Sequence, residues 1–125
     1  MSSPSLSLLV LKTSQTESVL AFYETLGLKF EVEQHGKGPI HWSATIGEVV
    51  FEIYPFAVGS ETTDSATRIG FAVSNLSESV DQLRSAGCQI LKEPITTSWG
   101  FRAVAKDPDG RAVELVQRAT QSKVC

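Results

Sequence analysis

The sequence runs through one pattern twice. Glu17-Ser18-Val19 opens a helical spacing of apolar residues that closes at Gly27, and Glu78-Ser79-Val80 opens another that closes at Gly87; the offsets are 78 − 17 = 61 and 87 − 27 = 60. Downstream, Gly47-Glu48-Val49-Val50-Phe51-Glu52-Ile53 is matched by Gly110-Arg111-Ala112-Val113-Glu114-Leu115, with Glu52 and Glu114 at an offset of 114 − 52 = 62. A period this long exceeds that of solenoid repeats and indicates two copies of one supersecondary module. Pairing two modules creates a cleft on which equivalent side chains, above all the two glutamates, converge.

Local patterns give each module the same order. Leu6 to Leu11 reads as a buried strand, and Ser14 and Glu17 stand in capping-box spacing before a helix carrying Val19, Leu20, Phe22, Tyr23 and Leu26. Leu28 to Gln34 alternates as a half-buried strand, His35 to Pro39 is a turn, and Ile40 to Ile46 with Glu48 to Phe56 form a hairpin around Gly47. Gly59 to Thr67, rich in Gly, Ser and Thr, is a linker. Then come a strand over Arg68 to Val73, a helix capped by Asn75 or Ser77 with Val80, Leu83 and Ala86, and a short strand from Cys88 to Leu91. Glu93 to Ser98 breaks the pattern at Pro94. A hairpin, Trp99 to Lys106 and Arg111 to Gln117, closes across Asp107-Pro108-Asp109-Gly110. The order is βαβββ twice, an α+β architecture: module 1 over about 5–58, linker 59–67, module 2 over about 68–118 and a tail over 119–125.

A chain of 125 residues forms one domain with a real core. Its net charge of −3 and lack of any Lys/Arg run exclude nucleic acid and anionic membrane as expected partners. Leu6 to Leu11 is too short for a signal peptide core or a membrane span, so a cytoplasmic location is expected. Cys88 and Cys125 stand in no metal or redox spacing, and a structural disulfide is not expected.

Three segments carry a family likeness. Ala21-Phe22-Tyr23-Glu24-Thr25-Leu26-Gly27-Leu28, Val50-Phe51-Glu52-Ile53-Tyr54 and Asp107-Pro108-Asp109-Gly110-Arg111-Ala112-Val113-Glu114-Leu115 resemble, in order and spacing, the vicinal oxygen chelate superfamily. That family includes glyoxalase I, bleomycin and fosfomycin resistance proteins and extradiol dioxygenases. The resemblance implies two βαβββ modules forming a cupped eight-stranded mixed sheet with helices outside, and a homodimer. It also places the metal ligands of metal-dependent members near Leu8, Glu52, Arg68 and Glu114. The glutamates match that pattern; Leu8 and Arg68 stand where histidine is usual.

Strand periodicity sets Val50, Glu52 and Tyr54 on one face and Ala112, Glu114 and Val116 on another. A carboxylate among apolar neighbours needs a metal, a cation or a proton. The two carboxylates alone suit magnesium or manganese, and zinc is disfavoured without a nearby histidine. Arg68 offers a second solution by pairing with Glu114 or Glu52. If that pair is buried, Arg68→Leu costs about 3–5 kcal/mol; a solvated Arg68 on a rim strand is the equal alternative. His35 reads as solvated in its turn, whereas His41 begins a strand beside Trp42 and is a pocket candidate, the bland structural reading being the favoured one. Tyr54 shares the Glu52 face and Phe51 does not. Trp99, in a segment resembling bleomycin resistance proteins, is the aromatic expected to line a pocket. Most of the other aromatics read as core or interface. Arg102 meets an anionic ligand or is solvated. Cys88 is a buried structural thiol, and Asp107 and Asp109 are turn formers.

The functional expectation is therefore a protein that binds a small organic molecule in a cleft, as in antibiotic resistance, using Leu8, His41, Trp42, Tyr54, Trp99 and Arg102. No cofactor and no histidine-based transition-metal site are expected. One alternative is a lyase or isomerase of the glyoxalase I type, with Mg, Mn, Ni or Zn held by Glu52 and Glu114. Another is metal-free enolate chemistry, with Arg68 stabilising an oxyanion and a glutamate as base.

Overall fold

The computed structural model describes residues 3–56 and 64–118. They divide into two compact units, Met1–Asp64 and Ser65–Cys125, and each unit contains one βαβββ module. Among the described residues, eight strands are split between two four-stranded mixed sheets, with one helix in each unit. Residues 59–63 of the expected linker, residues 57–58 of the first module and the tail over 119–125 lie outside the described residues. The rest of the linker, 64–67, is neither helix nor strand. No described helix is long and apolar enough to cross a membrane.

In unit 1, strand β1 (Leu8–Thr13) leads into helix α1 (Thr16–Thr25), followed by β2 (Glu31–Glu33), β3 (His41–Ile46) and β4 (Val49–Pro55). The sheet order is β1-β4-β3-β2, with β1 parallel to β4. Alternation along β4 decides which side each residue serves. Phe51 and Ile53 are buried with Val19, Phe22 and Tyr23 of α1, and the Tyr23 and Phe51 rings meet edge to face at 5.1 Å. Each such side chain contributes about 1.5–3 kcal/mol by leaving water. The other face carries Val50, Glu52 and Tyr54, as the sequence spacing predicts.

Unit 2 repeats the plan with β5 (Ile69–Ala72), α2 (Leu76–Ser85), β6 (Ile90–Thr97), β7 (Gly100–Lys106) and β8 (Ala112–Gln117), in sheet order β5-β8-β7-β6. Leu76, Val80 and Leu83 of α2 are buried, as are Val113 and Leu115 of β8 and Ala103 and Ala105 of β7. The two helices stop alike: Leu28 N–H donates to Tyr23 O and Cys88 N–H to Leu83 O, with Gly27 at φ 106° and Gly87 at φ 84°.

Three expectations need correction. Ser14 and Glu17 do not form a capping box. Gln15 is the N-cap, without a side-chain cap bond, which places Glu17 one residue too early for the reciprocal bond. The Thr13 hydroxyl takes the Gln15 N–H instead. Asn75, by contrast, caps α2 as read, accepting from Glu78 N–H at 3.0 Å. The strand expected over Leu28 to Gln34 shrinks to β2, because Leu28 is still closing the helix. Finally, Pro94 does not end a strand: β6 continues past it to Thr97. Its pairing with β7 shifts register between Ile90 and Lys92 and again between Lys92 and Ile95. An edge strand tolerates proline at such an irregularity.

Candidate functional site

The face of unit 1 that carries Glu52 also gathers a histidine cluster. Turn residues 34–40 fold β3 back onto β2 so that Glu33 stands opposite His41. The turn is held by Gly38 N–H donating to His35 O and by Gln34 Nε2 donating to Gly38 O. On the next strand over, β4, Glu52 is the register partner of Ser43 of β3. His41 is buried, with 1% of its side chain exposed. Its ring lies flat on Tyr54, 4.2 Å between centroids and 6° between planes. Its Nδ1 lies 3.2 Å from Pro39 O; a carbonyl only accepts, so Nδ1 carries the hydrogen.

The opposite nitrogen, Nε2, therefore faces the carboxylates. It stands 3.3 Å from Glu33 Oε1 and 3.5 Å from Glu52 Oε2, yet it makes no hydrogen bond. His35, whose side chain is 75% exposed, brings its Nε2 to 3.8 Å from the same Glu33 oxygen. The phenol of Tyr54 is pushed above its ordinary value of 10.0 by desolvation, and further by the charges of Glu52 and Glu33.

Glu114, the counterpart of Glu52, has different company. Arg68 NH2 donates to its Oε1 at 2.7 Å and Arg102 NH2 to the same oxygen at 2.5 Å. Arg102 reaches it diagonally, since Val104 is the register partner of Glu114 and Arg102 that of Val116. Gly70 lies directly across β5 from Glu114 and keeps the floor beside it open. Gly70, Trp99, Arg102, Glu114, Val116 and Arg118 line a recess of about 360 Å³. Trp99 stands at its rim, 79% exposed. Gly100, next to it, has φ 124°, and a Cβ there would meet Gln117 O at 2.8 Å, so this corner requires glycine.

The structure thus brings Arg68, Arg102 and Trp99 to the Glu114 face, and His41 and Tyr54 to the Glu52 face. Trp42 does not join them: it is in register with Ile53 and lies on the opposite side of the sheet. Leu8 is exposed and pairs with Val50. Arg68 pairs with Glu114 as one reading of the sequence has it, but its side chain is 63% exposed, so the pair is not buried. The statement that the glutamates have no nearby histidine is corrected by His41. Glu33 was not singled out in the sequence at all; its signal is symmetry about the turn. Glu33 and His41 lie equally far from Lys37, since 37 − 33 = 4 and 41 − 37 = 4.

The remaining candidates are structural. Cys88 is partly buried, and desolvation pushes its thiol pKa up, away from nucleophile behaviour. Asp107 and Asp109 do form the turn. Asp107 Oδ1 accepts from the Asp109 and Arg111 amides, and both carboxylates receive the buried Arg111 guanidinium at 3.0 and 3.2 Å.

Solved structures share this fold at low identity. The antibiotic binding protein TnmS3 from Streptomyces sp. CB03234 is 21% identical with a TM-score of 0.73, over 95% of this chain and 99% of its own. TioX from Micromonospora sp. ML1 is 16% identical with a TM-score of 0.70, over 93% and 100%. A V278E mutant of glyoxalase I from Zea mays is 22% identical with a TM-score of 0.75, over 92% of this chain and 45% of its own. No curated protein matches the sequence significantly. The sequence itself matches the family described as Glyoxalase/Bleomycin resistance protein/Dioxygenase superfamily across residues 5–115. With that match spanning both βαβββ modules, the chain belongs to the glyoxalase/bleomycin resistance protein/dioxygenase superfamily.

Proposed function

We propose that the chain binds a small planar organic molecule carrying an acidic group, in the recess of unit 2. The observation that carries this reading is the state of Glu114. The family's metal positions fall at Leu8, Glu52, Arg68 and Glu114. Leu8 offers no donor atom, and one Glu114 oxygen already holds two guanidinium groups. A cation placed there would face two positive charges, so these residues do not fit the family's metal.

The recess that remains suits a ligand. Its volume of about 360 Å³ lies within the roughly 300–1,000 Å³ of small-molecule sites. Trp99 supplies a flat apolar wall for stacking. Two lining guanidiniums, Arg102 and Arg118, outnumber the one carboxylate, which favours an anionic ligand over a cationic drug. The fold likeness to an antibiotic binding protein supports binding of this kind.

Titration with anilinonaphthalene sulfonate and its uncharged relative N-phenylnaphthylamine tests the reading. The anion should saturate one site and bind about tenfold more tightly, the worth of one charge-assisted hydrogen bond. Arg102→Ala should abolish the preference, and Trp99→Ala should weaken both probes. Equal binding of the two probes, or binding unchanged in both variants, would overturn it.

A further inference from the structure

We infer that Glu33, His35 and His41 form a binding site for one divalent transition-metal cation, contained within unit 1 and independent of the recess in unit 2. The ligand atoms of these three residues all lie within 4.8 Å of one another. None of them is a metal position of the family pattern.

His41 provides the independent observation. A fully buried imidazole nitrogen without a hydrogen-bond partner costs free energy. Here Nε2 lies 3.3 Å and 3.5 Å from two carboxylate oxygens and bonds to neither. With Nδ1 donating to the Pro39 carbonyl, the neutral form of the ring sets its Nε2 lone pair beside two anionic oxygens, and like faces like. A cation between them turns this repulsion into coordination. A ligand histidine held by a backbone carbonyl on its other nitrogen is the usual second support of metal sites, and the Tyr54 stack fixes the ring's plane.

Two of the spacings within the cluster suit coordination to a shared ion. Ligands about 2.0–2.1 Å from a tetrahedral zinc ion stand about 3.4 Å apart. The observed separations are 3.3 Å for His41 Nε2 to Glu33 Oε1 and 3.8 Å for His35 Nε2 to the same oxygen. Two imidazoles and one carboxylate suit zinc, cobalt or nickel over magnesium or calcium. Three protein ligands leave a fourth position open. Glu52 Oε2, 3.5 Å from His41 Nε2, adds negative charge beside the ion without belonging to the three-ligand group. His35 sits on the exposed turn, its side chain 75% exposed, so the ion has a path from solvent.

Equilibrium dialysis of the full chain against zinc, with cobalt as the absorbing probe, tests the site. One equivalent should bind, with cobalt giving the intense visible bands of tetrahedral coordination. His35→Gln and Glu33→Gln, both on or near the surface, should each weaken zinc binding at least tenfold while circular dichroism stays unchanged. His41→Asn should abolish it, and the two surface variants keep the test valid if that variant misfolds. Binding of the sulfonate probe to unit 2 should persist in all three, which separates this inference from the proposed function. Absence of stoichiometric zinc or cobalt binding would overturn the inference. So would affinity unchanged in His35→Gln and Glu33→Gln.

Discussion

Glu52 faces an imidazole and a second carboxylate, whereas Glu114 faces two guanidinium groups. The two glutamates hold the same place in duplicated modules, each on the strand that pairs with the module's first strand. What differs is the cross-strand neighbours: His41 and Glu33 on one side of the comparison, Arg102 of β7 and Arg68, just before β5, on the other. Duplication fixed the backbone address of the carboxylate, and cross-strand neighbours then decided its chemistry. One module sets its carboxylate beside an imidazole; the other pairs it with two guanidinium groups. Shared fold therefore says little about shared activity between the two halves of a single chain, as it does between proteins.

The same contrast runs through the buried basic groups. Unit 1 buries His41 and unit 2 buries Arg111, the latter against two aspartates. The largest expected effect follows: Arg111→Leu strands two buried carboxylates and should cost about 3–5 kcal/mol in urea unfolding. Arg68→Leu, at the exposed pair, should cost less than about 1 kcal/mol. Similar losses in the two variants would erase the distinction between a buried turn clamp and a surface pair.

The helices sharpen the comparison at a smaller scale. Asn75→Ala should cost about 1 kcal/mol by leaving the Glu78 amide without its cap, whereas Gln15→Ala should be nearly neutral because no side-chain cap bond exists there. The smallest effect concerns acid. Arg84, hydrogen-bonded to Glu93 from α2 to β6, holds the Glu93 carboxyl below its ordinary value of 4.5. A depressed folded-state pKa means that the pair's contribution is present above the ordinary value and is lost as pH falls through the folded one. The small difference in urea midpoint between the wild type and Arg84→Ala should therefore shrink between about pH 5 and about pH 3; a constant difference would remove the pair from the ledger of unit 2.

Much of the fold was legible because it is written in local spacing. The offsets between Glu17 and Glu78 and between Gly27 and Gly87 gave the duplication, and alternation gave the opposite facing of Phe51 and Glu52. Asn75 was readable because a cap needs only a residue three positions away. The site was less legible because its contacts cross strands. Arg102 meets Glu114 only through the diagonal register of the hairpin, and His41 meets Glu33 only once the turn at Lys37 sets the pairing. Burial of His41 depends further on Tyr54, two strands along the sheet from Glu33. The course of β6 through Pro94 was missed for a related reason: composition marks a proline, but only the sheet shows that it falls at an edge where an irregular register is harmless.

That proline has a consequence for crowded solutions. Pro94 has no amide hydrogen to offer, and the ladder shifts on both sides of Lys92. An incoming chain seeking to extend the sheet at β6 would meet a broken row of donors. At β2, on the margin of the other sheet, it would find a strand of only three residues. β6 and β2, two of the four edge strands of these sheets, are thus poor templates for fibre growth, a resistance built into the backbone at those two margins.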